Sequence, residues 1–380
     1  MEKNVVIAGY VRSPFHFAGK GDLASVRPDD LAAAVVAELV KRSGIDASEI
    51  EDLIMGCAFP EGEQGFNIAR LVVNIANLPN SVAGTTVNRF CGSSMQSIHQ
   101  AAGAIQMGAG HAFICAGVES MSRIPMGGFN PVLNPVLAKN YPQAYIGMGE
   151  TAENLAKKYS ISRDAQDKFA LSSQQKASAA RAAGKFKDEI IEIKTPSGKV
   201  ISADGCIRPE TTLEALTGLK PAFDQTGTVT AGTSSPLTDG ASATLVTSEE
   251  FAKAHGMKIL ARIRSIGVSG CAPEIMGIGP VPATSKALAR AKLTMNDIDI
   301  IELNEAFAAQ SLSVLQELKA DVNKVNLDGG AIAIGHPLGA SGARITGKAA
   351  SLLKREGKQF ALATMCIGGG QGIATILEAV

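Results

Sequence analysis

A helix-like run, a Ser-Gly stop, a short acidic turn and a buried strand follow one another in "DDLAAAVVAELVKRSGIDASEIEDLIMGC", and "PATSKALARAKLTMNDIDIIELNEAF" returns the same order. Setting Ile50 on Ile298 gives an offset of 248 residues. Further on, Ser94 sets on Ser341 at 247 and Val118 on Cys366 at 248. A nearly constant offset over three separated landmarks implies two copies of one α/β unit. Strands alternating with helices inside each copy imply mostly parallel sheets covered on both faces. Residues 120–237 have no counterpart in the second copy and are richer in Pro, Gly, Lys and Gln. They read as an insertion suited to a lid or substrate-binding region. The expected organisation is a first unit made of 1–119 and 238–258, an inserted loop domain over 120–237, and a second unit over 259–380.

Apolar residues are 46% of the chain and charged ones 19%, so a large core can form and disorder is excluded. Thirty-six basic and 36 acidic residues cancel, which argues against nucleic acid or a membrane surface as partner. No apolar run reaches the roughly 18–20 residues of a membrane span. "MEKNVVIAGYVRSP" runs almost directly into a strand, with no visible signal or transit peptide. The six cysteines, Cys57, Cys91, Cys115, Cys206, Cys271 and Cys366, are scattered without CxxC spacing. A disulfide framework or zinc site is therefore not expected, and reduced cytoplasmic thiols are.

"VNRFCGSSM" places Cys91 where a strand gives way to a helix. A buried small hydrophobe is the bland reading of any cysteine. At the first turn of a helix, however, free N–H groups and positive dipole potential favour thiolate and are expected to lower its pKa. The following Gly-Ser-Ser is expected to turn the backbone and cap the helix. His336 stands in "GGAIAIGHPLGASGARI", a glycine-dense loop before the helix that mirrors the one after Cys91; glycines on both sides suggest close backbone approach. "TMCIGGGQG" puts Cys366 at a strand end ahead of N–H groups suited to an oxyanion, and "ELNEAFAAQ" offers Asn304 and Glu305 at another. Two thiols, an imidazole and clustered N–H groups at equivalent edges suit acyl transfer through a thioester. "GGGQG" misses the GxGxxG spacing, "GHPLGASG" lacks a phosphate-loop lysine, and no GxSxG elbow is present. His16, His99, His111 and His255, like the other four cysteines, read as structural or surface residues.

"VNRFCGSSMQS", "NEAFAAQ", "GGAIAIGHPLGASGARI" and "MCIGGGQG" together resemble the signature blocks of the thiolases, in order and along the whole chain. "EQGFNIAR", "RPETTLEALTGLKPAFD" and "VTAGTSSPLTDGASA" extend the likeness, which is greatest to the bacterial degradative 3-ketoacyl-CoA thiolases of fatty-acid β-oxidation. The resemblance implies two βαβαβαββ units in a five-layered αβαβα stack. It makes Cys91 the acyl-carrying nucleophile and His336 its activator, with Asn304 holding a water in the first oxyanion hole. Cys366 becomes the acid/base for the acetyl-CoA enolate, and the N–H groups of Cys91 and Gly368 a second oxyanion hole. Arg208 would meet the nucleotide part of coenzyme A and Ser235 its pantetheine. Met148, Phe223 and Met276 would line the pantetheine and acyl tunnel, with Ala231 and Ala306 as further substrate-binding positions. Coenzyme A would be a co-substrate, with no permanently bound cofactor and no metal. Partners would be acyl-CoA and coenzyme A, a second copy in a dimer or dimer of dimers, and a hydratase/dehydrogenase of β-oxidation.

Short-chain biosynthetic thiolases commonly carry "HMG" where this chain has "GMG" (147–149), and Asn-Ala-Ser-Gly where it has "TSSP" (233–236). The first difference removes an imidazole from the acyl end of the pocket, although Leu133 or Tyr145 could close it instead. Degradative thiolysis is the leading expectation. A condensing acetoacetyl-CoA thiolase and a non-catalytic acyl-CoA carrier are the alternatives.

Overall fold

The computed structural model describes residues 3–380. Val5–Arg12 (β1), Asp52–Gly56 (β2), Ala83–Val87 (β3), Ala112–Ser120 (β4) and Thr238–Ser248 (β5) form the sheet of the first half. Ala261–Gly270 (β6), Ile300–Leu303 (β7), Phe360–Ile367 (β8) and Gln371–Glu378 (β9) form that of the second. Hydrogen bonds set the order β7-β8-β9-β6-β1-β5-β4-β2-β3. From the seam between β1 and β6 outward the two halves match, and β2 and β4 recur as β7 and β8 with starts 248 residues on. The counterpart of β3 shrinks to one bridge between Ile301 and Val325. The seam pairs Val6 with Arg262 and Ile7 with Ala261.

The expectation of mostly parallel sheets is corrected. β2–β3, β2–β4 and β7–β8 are parallel, but β1–β5, β4–β5, β8–β9, β6–β9 and β1–β6 are antiparallel. The cause lies in the connections. β8 turns into β9 through Gly368–Gly370, and β5 re-enters from the insertion at the same end where β4 leaves the sheet, Ser120 pairing with Asp239, so neither makes the end-to-end crossover that a parallel pair needs.

The helices of eight residues or more are Pro28–Ser43 (α1), Ile68–Ile75 (α2), Ser93–Met107 (α3), Met148–Lys158 (α4), Arg163–Ala182 (α5), Pro280–Ala291 (α6), Ala308–Leu318 (α7) and Leu338–Glu356 (α8). α1 and α2 cover the outer face of the first half through Leu31, Val35, Leu39, Val72 and Val73. α6 and α7 do the same for the second through Ala283, Ala287, Leu288 and Val314. α3 and α8 lie against each other between the two half-sheets, and α8 is buried along nearly its whole length. The stack is therefore helix, sheet, helix, sheet, helix. Its middle layer is close enough to demand glycine. A Cβ at Gly117 on β4 would sit 2.1 Å from the carbonyl oxygen of Gly339, and one at Gly342 on α8 would sit 2.3 Å from the nitrogen of Met95 on α3. Of the glycines around His336, Gly339 and Gly342 thus admit neighbouring backbone.

The insertion carries α4 and α5, which pack on α7 of the second half. It is tied to both units by buried charge: Arg12 on β1 meets Asp204 at 2.7 Å and Glu189 at 2.9 Å, and Glu189 meets Lys348 of α8 at 2.9 Å. Among the described residues no helix is long and apolar enough to cross a membrane.

Candidate active site

Cys91 sits in a single 3-10 turn, Phe90–Gly92, immediately before α3. Phe90 is held at φ 42°, a left-handed conformation unfavourable for a bulky residue. The turn is closed by its own side chains. Asn88 Oδ1 accepts from the Phe90 N–H at 2.8 Å, and Ser93 Oγ accepts from the Arg89 N–H at 2.9 Å while donating to the Phe90 carbonyl at 2.6 Å. The expected serine cap is corrected accordingly: Gly92 caps α3 without a side-chain bond, and Ser93 turns back on the Cys91 turn. Ser94 Oγ accepts instead from the Ala343 N–H of α8 at 2.8 Å, joining the two halves.

Cys91 belongs to a buried apolar cluster that also holds Ala58, Met95, Leu338 and Ile367. Burial pushes its pKa up to about 11, opposed by hydrogen bonds from the N–H of Gly368 and its own N–H. This reverses the expected lowering, because the exposed helix N-terminus the argument assumed is desolvated by the facing half. The Gly368 N–H nevertheless points at the thiol.

His336 follows Gly335, whose φ of 110° and lack of room beside Thr238 exclude a side chain. The His336 N–H donates to Thr238 Oγ1 at 3.0 Å. Its Nε2 faces Asn304 Nδ2 at 3.3 Å, and its Nδ1 faces Ser341 Oγ at 2.5 Å. Burial, then the Arg344 charge, lower the imidazole pKa to about 3. The resting pair is therefore thiol and neutral imidazole. Leu338, two residues on, shares the buried apolar cluster of Cys91 and so carries the His336 loop toward that thiol.

Cys366 is the penultimate residue of β8 and is fully buried; burial and the Cys91 sulfur both raise its pKa. Met276, Ala306, Phe307, Val229 and the edge of Met148 pack around it. Met148 Sδ and the Phe90 ring flank Gly368. Phe223 meets Phe307 edge to face at 5.8 Å, and Gly149 is bare because a Cβ there would strike the Phe223 ring. The Ser235 N–H donates to the Ala306 carbonyl at 2.9 Å, which brings the loop beginning at exposed Ala231 to the same wall.

Two candidates fall outside this cluster. Glu305 faces away, accepting from Ser173 Oγ at 2.6 Å, Asn326 Nδ2 at 2.7 Å and the Ile332 N–H at 3.1 Å, so it anchors the loop before His336. Arg208 lies over the Phe17 ring at 5.9 Å with its N–H on Gln174 Oε1, apart from the thiols. Sequence reasoning missed Glu119 at the end of β4. Its buried carboxylate accepts from the N–H groups of Ala58 and Gly339 and from Gln64 Nε2, at 2.8, 2.9 and 2.8 Å, clamping the Cys91 half to the His336 half. Only the position of a glutamate inside an otherwise apolar strand signalled it. Cavities of about 240 and 390 Å³ lie elsewhere and hold none of Cys91, His336 or Cys366.

Comparison with known proteins agrees with this geometry. Residues 5–250 match the family described as "Thiolase, N-terminal domain" and residues 257–379 that described as "Thiolase, C-terminal domain". The chain is 48% identical over 390 residues to a 3-ketoacyl-CoA thiolase of Bacillus subtilis (strain 168), covering 100% of both. It is 52% identical to one of Shewanella loihica, covering 99% of both. Among solved structures, human mitochondrial 3-ketoacyl-CoA thiolase in complex with CoA is similar at TM-score 0.91 and 39% identity, over 100% of this chain and 98% of that one.

Proposed function

The chain belongs to the thiolase family, and from that premise we propose that it cleaves a 3-ketoacyl-CoA with free coenzyme A, giving acetyl-CoA and a chain-shortened acyl-CoA in fatty-acid β-oxidation. The observation that carries this is the second thiol. Cys366 is buried against Cys91 beside the Gly368 N–H, where a leaving carbanion would need a proton. Full-length identity near one half to proteins named 3-ketoacyl-CoA thiolase supports the substrate class.

The residues divide the work as follows. His336 Nε2 takes the Cys91 proton as the sulfur attacks the 3-keto carbon. The developing oxyanion is met by the imidazolium, with Asn304 beside it. The C2–C3 bond breaks, its electrons pass to the acetyl-CoA enolate, and Cys366 protonates that carbon. A second coenzyme A gives its thiol proton to Cys366 and attacks the acyl-Cys91 thioester. Its oxygen turns to the N–H groups of Cys91 and Gly368, and Cys91 leaves with the proton held by His336. Met148, Phe223, Met276, Ala306, Ala231 and Ser235 form the pantetheine and acyl wall, and Arg208 the nucleotide end.

We place the CoA-binding region in the inserted segment 120–237, between a first unit of 1–119 with 238–258 and a second of 259–380. Coenzyme A is co-substrate rather than resident cofactor, the location is cytoplasmic, and the working form is a homo-oligomer. Open edge strand β3 and fully exposed Phe66 support that last reading. A hydratase/dehydrogenase would supply the ketoacyl substrate. Loss of thioester absorbance across a 3-ketoacyl-CoA chain-length series tests the proposal. Medium chains turning over with higher kcat/KM than acetoacetyl-CoA supports it; acetoacetyl-CoA as the better substrate overturns the degradative reading.

A further inference from the structure

We infer that Ser341 is the positioning residue that sets the tautomer of His336 and thereby makes Nε2 the base; the inference rests on His336 being the proton acceptor proposed above. Ser341 lies in the first turn of α8, 1% exposed, five residues after the histidine. Its hydroxyl has a single hydrogen, and the Pro337 carbonyl, which can only accept, lies four residues back at 3.0 Å from Oγ. With its hydrogen on the Pro337 carbonyl, Oγ accepts from the imidazole, which places the proton on Nδ1 across the 2.5 Å contact. Nε2 is left with its lone pair, facing the Asn304 Nδ2 donor at 3.3 Å. The same bond serves after proton transfer, because the imidazolium still donates from Nδ1 to Ser341 while Nε2–H turns to the substrate oxygen.

The arrangement explains a polar chain inside an apolar wall. The neighbours of Ser341 include Gly339 and Gly342, which press on β4 and α3, so α8 cannot shift to offer Nδ1 another acceptor. Without the hydroxyl, a buried Nδ1–H would be left unpaired. The proton would move to Nε2, where it blocks uptake from Cys91.

Selective ¹⁵N labelling of the five histidines, with His336 assigned by its absence in His336→Gln, reads the tautomer directly. The intact protein is expected to show protonated Nδ1 and bare Nε2. Ser341→Ala should lose that signature and slow Cys91 acylation by about 100-fold with KM little changed, and Ser341→Thr, which keeps a hydroxyl, should recover both. Ser341→Ala retaining the Nδ1–H signature and the original acylation rate overturns the inference and leaves the role of His336 intact. His336→Ala acylating at the original rate overturns that role instead, while the tautomer spectrum still reports on Ser341.

Discussion

Burial moves the Cys91 pKa to about 11 and that of His336 to about 3, in opposite directions for one reason: each holds the form without charge. The two sulfurs then differ by neighbour. Cys91 has the imidazole loop and the Gly368 N–H; Cys366 has an apolar wall and the other sulfur. Cys91→Ala should therefore abolish both thiolysis and the acetyl adduct that intact-mass measurement detects after acetyl-CoA. Cys366→Ala should keep the adduct and lose about 10²–10⁴-fold in turnover, the usual worth of a positioned acid/base. An adduct at another active-site residue in the first variant would reassign the nucleophile. Gly147 offers a test of chain length. It is exposed at the start of α4 with ordinary φ, and a Cβ there meets only Glu150 at 3.8 Å, so histidine can be accommodated. At about 0.8 kcal/mol per methylene, crowding out two carbons should cut the medium-chain preference of Gly147→His by about tenfold. An unaltered kcat/KM ratio would show that the acyl end lies elsewhere.

At the scale of elements, α3 and α8 decide how close the halves come. Gly342 faces backbone, which cannot rotate away, whereas Gly103 on the exposed side of α3 has nothing within 4 Å of its would-be Cβ. Gly342→Ala should lose at least about 1–3 kcal/mol in equilibrium unfolding, by overpacking. Gly103→Ala should gain about 0.5–1 kcal/mol from helix propensity. Equal effects would mean that the central layer is looser than its geometry states. A shifted α8 would also displace Ser341 and His336, so the Gly342 variant should lose activity ahead of stability.

Across the whole molecule, buried histidine ties stability to pH. His99 on α3 reaches Thr375 on β9 of the other half at 2.8 Å, and burial lowers its pKa from 6.5 to about 3. Between those values the unfolded chain binds a proton that the folded one refuses, so the His99 contribution to stability falls as pH drops through the window and levels off below it. His99→Gln should be less stable at pH 7 by about 1 kcal/mol, for the weakened bond to Thr375. It should also lose less than the parent on going to pH 4.5. Denaturant unfolding at the two pH values checks this; equal losses would mean that His99 is charged in the folded state.

The repeat and the four signature stretches were legible because each lies within one short segment: strand, turn and helix spacing around Cys91, His336 and Cys366 is a property of neighbouring residues. The family, the two halves and the candidate positions around the two thiols and the imidazole followed from that. What the chain could not show locally was decided by contacts between distant segments. The Glu119 carboxylate meets the Gly339 N–H across 220 positions, Ser94 meets Ala343 across 249, and the desolvation that reverses the Cys91 pKa comes from the facing half. Strand direction depended likewise on where the insertion returned β5. Spacing along a chain records periodicity, whereas burial and close approach sum over every segment that folding brings together, and they exist only once it has done so.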